Sequence, residues 1–317
     1  YARRIGERFA INLPAMQPTV EFNPPMLNGV SASKVFLPAS PDAPLTVFAY
    51  LCTQFAHITA DEWRSRFNEG LVYNAQGNQL TTESPFQANS HCFYYRFLAH
   101  EVHVPFQHQI LFENEHFMVV DKPHFLTMSP TGQYVQETLL VRLKKQTGNE
   151  HLTPIHRLDR ETAGVVLISK CVESRGLYQQ LFATRQVQKT YHAIAAYNHS
   201  LKFPLVTRLR MQKGQPFYTM HVLDGTPNSE TAIDLLEHNT EWAKYELKPH
   251  TGKQHQLRVH LNHLGIPIRH DPFYPQVVHK AEDDFSAPLS LLAKHIQFID
   301  PITQKSLNFS SQLELTL

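Results

Sequence analysis

From residue 45 onward the apolar positions recur with helical or strand periods. Leu45, Phe48, Cys52 and Phe55 fall on one helical face, and Thr59-Ala-Asp-Glu62 has the form of a capping box opening a second helix that Gly70 closes. Short strands are predicted around Leu71–Tyr73 and Cys92–Phe97. Before residue 45 the pattern is different. Seven prolines (Pro14, Pro18, Pro24, Pro25, Pro38, Pro41, Pro44) with few periodic apolar residues between them predict an extended arm over 1–40 with little structure of its own.

A larger unit begins near Ile110. Phe117–Val120 reads as a buried strand running into Asp121-Lys-Pro123, and Glu137–Gln146 as an amphipathic helix stopped by Gly148. Val165–Ile168 is a β-branched run, Ser174–Thr184 a helix and Thr190–Tyr197 a strand. Ala243, Tyr245 and Leu247 alternate with Lys244, Glu246 and Lys248, which predicts a strand with one wet face. Over Gln254–Leu264, Leu257, Leu261 and Leu264 form one helical stripe, with Gly265 as its stop. Helices and strands so mixed indicate an α+β chain: an arm (1–40), a small domain (41–107) and a larger domain (108–317).

Composition narrows the class. The 317 residues are 42% hydrophobic and 18% charged, which excludes disorder, collagen and coiled coil and suggests two domains. Cys52, Cys92 and Cys171 are widely spaced and form no C-x-x-C pair, so a reducing compartment is expected. No apolar run approaches the ~18 residues that cross a bilayer, and residues 1–15 lack a signal-type apolar core; a cytoplasmic location is the expectation. The formal net charge is only +1, but residues 151–270 hold 15 Lys and Arg against 9 Asp and Glu, together with eleven of the 20 histidines. A net +6 stretch in an otherwise acidic chain is a candidate face for an anionic partner. Residues 41–110, with three Arg against six acids, are not basic.

Two polar clusters could carry chemistry. In His156-Arg-Leu-Asp-Arg160, alternation along an extended segment points Arg157 and Asp159 into a cleft while Leu158 packs behind them, and the flanking guanidiniums favour an ionised carboxylate. Such a carboxylate is a competent nucleophile or base, although a loop salt bridge is the commoner outcome of five such residues. In Thr251–His260, the helical spacing places His255, Arg258 and Asn262 on one polar face, from which Arg258 could reach a buried carboxylate. His255 and His260 lie about 140° apart around a helix, so the densest histidine group does not make a metal site.

In these blocks the chain resembles the RluA family of pseudouridine synthases across roughly 110–317. His156-Arg-Leu-Asp-Arg-Glu-Thr-Ala-Gly164 is similar to that family's active-site signature, Lys189-Thr-Tyr191 to its second block and Thr251–His260 to its third. Ile266–Tyr274 is similar to the segment that follows, and Phe117–Pro123 to the family's opening strand and Lys-Pro turn. The resemblance implies a pseudouridine synthase fold, α+β with a mixed, largely antiparallel central sheet flanked by helices, plus a small N-terminal α/β domain similar in position to a ribosomal-protein-type RNA-binding domain. It implies that Asp159 is the catalytic aspartate, Tyr191 the aromatic residue against the target base and Arg258 the partner of Asp159. Arg157 would fill the space vacated by a flipped nucleotide, with Arg160, His156, Lys189, Lys253 and His255 contacting substrate. The expected partner is structured RNA, ribosomal or transfer, bound by a monomer that needs no cofactor or metal. The chain departs from the family at Ala163 (usually serine), at Lys253-Gln254 (commonly Arg-Thr), at His270 (a small residue) and at Leu292 (often histidine). The rival readings are a non-catalytic RNA-binding descendant and a glycoside-cleaving enzyme, which would need a second carboxylate near the first.

Overall fold

A computed structural model describes residues 22–96 and 101–317. These divide into two compact units: 22–25 with 31–95, and 26–30 with 96 and 101–317. The division falls at 95/96, earlier than the 107/108 boundary read from the sequence. Residues 1–21 of the expected arm, and Phe97 of the expected strand, lie outside the described residues.

The small unit runs β1 (Ser33–Leu37), α1 (Val47–Gln54), α2 (Ala60–Asn68), β2 (Val72–Asn74) and β3 (Ser90–Tyr94), its strands forming an antiparallel sheet in the order β1-β3-β2. Within the stretch read as an extended arm over 1–40, Ser33–Leu37 is extended but belongs to the sheet of the small unit: it finds its hydrogen bonds across the chain, on Ser90–Tyr94, and long-range pairing leaves little local signal. Thr59 and Glu62 form the expected capping box on α2. Leu37, Val47, Leu51, Trp63, Phe67, Val72, Cys92 and Tyr94 make one core.

The large unit contains β4 (Gln109–Glu113), β5 (Phe117–Lys122), α3 (Leu139–Thr147), β6 (Thr153–Pro154), β7 (Ala163–Ser169), α4 (Val172–Ala183), β8 (Gln188–Ala196), β9 (Leu205–Lys213), β10 (Met220–Leu223), β11 (Ser229–His238), β12 (Trp242–Pro249), α5 (Gln256–His263), β13 (Leu291–Ile299) and β14 (Ser306–Ser310). Its eleven described strands form one sheet, ordered β10-β9-β11-β12-β8-β13-β7-β5-β4, with β14 on β13 and β6 on β7. Only the β7–β13 pairing is parallel among the described ladders, so the sheet is mixed and largely antiparallel, as expected.

Strands β5 and β7 are buried along their whole length, which is why they read as continuous apolar runs. On β12, Ala243, Tyr245 and Leu247 are fully buried and alternate with partly exposed Lys244 and Glu246. Gly164 sits where β7 meets β13 with φ +113, and a Cβ there would lie 2.2 Å from the Ala293 carbonyl oxygen. The strand that follows the Asp159 loop therefore requires glycine at this point. Among the described residues no helix is long and apolar enough to cross a membrane.

Candidate active site

Residues 155–162 make the loop between β6 and β7. Leu158 is buried in the core cluster with Val120, Leu126 and Val166, while Arg157 and Asp159 line a cleft of about 940 Å³. The loop is pinned from below. Lys122, fully buried at the end of β5, donates to the carbonyls of Pro123 (3.0 Å), Leu126 (2.9 Å) and Arg160 (3.2 Å). His124 lies 2.7 Å from the Glu161 carbonyl through Nδ1, which must be the protonated nitrogen because a carbonyl only accepts. The Thr162 N–H closes a turn on the Asp159 carbonyl at 3.1 Å. Burial pushes the Lys122 amine down to about 7, with Glu161 and Asp159 pulling the other way.

The opposite wall comes from the turn into α5. Gln256 ties that turn to β11: its amide donates to the Glu230 carbonyl and to Thr231 Oγ1, both at 2.9 Å, and its carbonyl oxygen accepts from Thr251 Oγ1 (2.7 Å) and the Lys253 N–H (3.1 Å). His255 then opens the helix with a left-handed backbone (φ 52), a conformation that a non-glycine residue adopts at a cost of roughly 1 kcal/mol. Its buried ring faces Asp159, with Nε2 3.8 Å from Oδ2. Burial pushes this imidazole down to about 4, against the pull of Asp159, so it is neutral near pH 7.

Arg258 corrects the reading of α5 as a helix with one polar face. Residues 256–261 are all buried, and Arg258 is 1% exposed. Its main partner is also different from the one expected. Nε and Nη2 make a two-pronged bond to Asp271 (2.8 and 2.6 Å), and Asp159 Oδ2 lies 3.7 Å from Nη1. Burial opposes its charge, but the hydrogen bonds and charge of Asp271, with Asp159 adding to them, hold the guanidinium more firmly charged than usual. Nη1 is buried without a hydrogen bond. Asp159 itself, its side chain 35% exposed, reaches the open cleft.

Tyr191 projects from β8 into the same cleft, packed between the two main core clusters; burial and then the Asp159 charge push its phenol above the usual range. Arg157, Lys189 and Lys253 also line it, joined by Arg185, and none of the four makes an ion pair among the described residues. Arg185 went unread because it follows α4 as an ordinary exposed residue, yet it holds a left-handed backbone (φ 60) at the cleft edge. His156 lies in the wall, stacked on Phe182 at 4.5 Å, and its Nε2 accepts the Leu167 N–H at 3.2 Å. Burial and then Lys189 push it down to about 3, so it is a neutral wall residue.

Arg160 is not brought to the cleft. It pairs with Glu161 at 2.6 Å and lies over the rings of Tyr134 (5.0 Å) and Phe125 (5.6 Å), on the side that the alternation of an extended segment gives to Leu158. Glu161 is occupied by that pair, and Asp159 is the only acid among the described residues lining the cleft, which removes the second carboxylate that glycoside cleavage needs. Among the described residues no three His, Cys, Asp or Glu side chains converge as a metal site; His260 instead donates through Nε2 to Ser229 Oγ (2.9 Å), whose own proton goes to the Leu209 carbonyl.

The family model described as RNA pseudouridylate synthase matches residues 116–263, a span holding Asp159, Tyr191 and Arg258. A dual-specificity RNA pseudouridine synthase RluA from Pasteurella multocida is 33% identical over 220 residues, covering 64% of this chain and 91% of that one. A tRNA pseudouridine synthase C from Vibrio vulnificus is 29% identical, covering 65% and 91%. The solved structure of human RNA pseudouridylate synthase domain containing 4 aligns with a TM-score of 0.50 at 26% identity, covering 65% of this chain and 88% of that one. That of domain containing 1 aligns with a TM-score of 0.54 at 23% identity, covering 65% and 83%, and shares the fold. With 33% identity over 220 aligned residues that span 91% of the Pasteurella relative, and with the matched span enclosing the cleft's acid, tyrosine and arginine, this chain belongs to the RNA pseudouridylate synthases, the isomerases that convert uridine to pseudouridine within RNA.

Proposed function

We propose that this isomerase acts on uridines in structured RNA, ribosomal or transfer, and that Asp159 is the carboxylate that drives the reaction. The observation that carries this reading is the setting of Asp159: the single acid among the described cleft residues, open to a cleft of about 940 Å³ that has room for a nucleotide and its neighbours, with His255 and Arg258 at 3.8 and 3.7 Å behind it. Isomerisation breaks the bond from ribose C1′ to N1 of the base, turns the base and joins C1′ to C5; C5 gives up its proton and N1 gains one, with no redox change. Asp159 can attack the sugar, add to the base or take a sugar proton, and each role needs the carboxylate ionised. Arg258, charged and buried, stands 3.7 Å behind it.

A uridine inside folded RNA must leave its stack to be reached, at a cost of a few kcal/mol. Tyr191 is the platform for the turned-out base and Arg157, exposed at the cleft, fills the gap left behind. Lys189, Lys253 and Arg185 meet phosphates, His255 stands beside Asp159, and His156 shapes the wall. The names of the relatives, one a transfer-RNA enzyme and one of dual specificity, support an RNA of this kind. A monomer in the cytoplasm belongs to the same reading, and the free thiols of Cys52, Cys92 and Cys171 fit a reducing compartment. The small unit is similar in position to an RNA-binding domain, but its acidic charge fits a degenerate module or a structural cap better than one that relies on phosphate contacts.

The test is to incubate bacterial RNA with the wild-type protein and with Asp159→Asn and to map new pseudouridine chemically. New sites with the wild type alone support the reading. No sites with either, together with tight RNA binding, would favour a non-catalytic RNA-binding descendant.

A further inference from the structure

Arg258 and His255 both face Oδ2 of Asp159, yet neither is anchored by it. Their anchors come from one short turn, 271–274, beyond the residues the family model matches. The fully buried Asp271 takes Nε and Nη2 of Arg258, and its Oδ1 also accepts the N–H groups of Phe273 (2.8 Å) and Tyr274 (3.2 Å). Phe273 lies against the guanidinium, 4.8 Å from its ring centre. With two of three nitrogens taken, Nη1 is the one left, and it faces Asp159.

Tyr274 does the same for His255 by proton counting. The phenol oxygen accepts the Met220 N–H at 2.8 Å and lies 2.9 Å from Nδ1 of His255. A phenol has one proton, and the acceptor in reach is Nδ1; a neutral ring accepting there carries its own proton on Nε2, the nitrogen 3.8 Å from Asp159. The other tautomer would leave the phenol proton without an acceptor in a residue that is 7% exposed.

We propose that Asp271 and Tyr274 are positioning residues that aim Arg258 Nη1 and His255 Nε2–H at one oxygen of Asp159, leaving Oδ1 turned to the substrate. The inference rests on Asp159 being the reacting carboxylate. At 3.7 and 3.8 Å the two contacts are longer than hydrogen bonds, as catalytic contacts often are before substrate is bound.

The experiment reads the His255 ring nitrogens by ¹⁵N–¹H correlation in the full chain, alongside kcat, KM and RNA affinity for the wild type, Tyr274→Phe and Asp271→Asn. The wild type is expected to carry the proton on Nε2. Tyr274→Phe, which keeps the packed ring, is expected to give a tautomer mixture and a kcat about tenfold lower at unchanged RNA affinity, the effect of one lost orienting hydrogen bond. Asp271→Asn is expected to lower kcat by roughly 10- to 100-fold, as for a bond to a charged group. A wild-type proton on Nδ1, or wild-type kcat in Tyr274→Phe, overturns the inference while leaving Asp159 as the reacting group. Full turnover in Asp159→Asn overturns both.

Discussion

Replacing Arg258 by methionine removes the charged head but keeps an apolar stem of similar length. Asp271, fully buried, then loses both guanidinium bonds and retains two backbone N–H donors. Breaking a buried pair from one side costs about 3–5 kcal/mol, because an uncompensated charge stays in the interior. For a unit of this size that lowers the melting temperature by on the order of 10 °C. Adding Asp271→Asn removes the stranded charge while its amide oxygen still accepts the Phe273 and Tyr274 N–H groups, and replacing a whole buried pair is often close to neutral. The double variant should therefore recover at least about 2 kcal/mol over Arg258→Met in urea unfolding. It should remain inactive, because the only charged group behind Asp159 is then gone and the neutral His255 ring alone is left there. Equal stability of the single and double variants, or a single-variant cost below about 1 kcal/mol, would refute the account of Asp271 as the buried partner.

Other outcomes follow from the same contacts. Lys122→Met should flatten the pH profile of stability. The folded-state pKa of Lys122 is depressed, from an ordinary 10.5 to about 7, so its buried charge costs in full below pH 7. As pH rises from about 7 towards 10.5 the unfolded chain binds more protons and wild-type stability climbs, by at most about 1.4 kcal/mol per pH unit, an increment the variant lacks; parallel denaturation profiles would contradict this. Lys189→Ala and Lys253→Ala should each weaken RNA binding and reduce the salt slope by about one, whereas Arg160→Ala, which loses only its Glu161 pair and ring contacts, should leave the slope unchanged in a filter-binding titration. Gly164→Ala drives a Cβ into the Ala293 carbonyl and should cost about 3 kcal/mol or more, seen as a lower urea midpoint together with loss of activity from the displaced Asp159 loop.

The elements legible in the sequence are those whose signal is local. Thr59 and Glu62 cap their helix three residues apart, Val165–Ile168 is buried on both faces, and β12 alternates because one of its faces is wet. The hairpins formed by β9, β10 and β11 went unread because β11 buries Ser229 and Thr231, polar residues satisfied by His260 and Gln256 from a later helix. A pattern of apolar positions cannot register a buried hydroxyl whose partner lies 25 or more residues away. The same holds at the site. The Arg157–Asp159 alternation was visible in five residues, and the same alternation sets Arg160 on the side of Leu158, but the burial of Arg258 depends on Asp271 thirteen positions on.

The central claim is that one carboxylate in this cleft makes pseudouridine. Its most direct test is chemical mapping of pseudouridine in RNA treated with equal amounts of folded wild type and folded Asp159→Asn. The account predicts new pseudouridine with the wild type and none above background with the variant, at similar RNA affinity. Equal yields from the two proteins would contradict it.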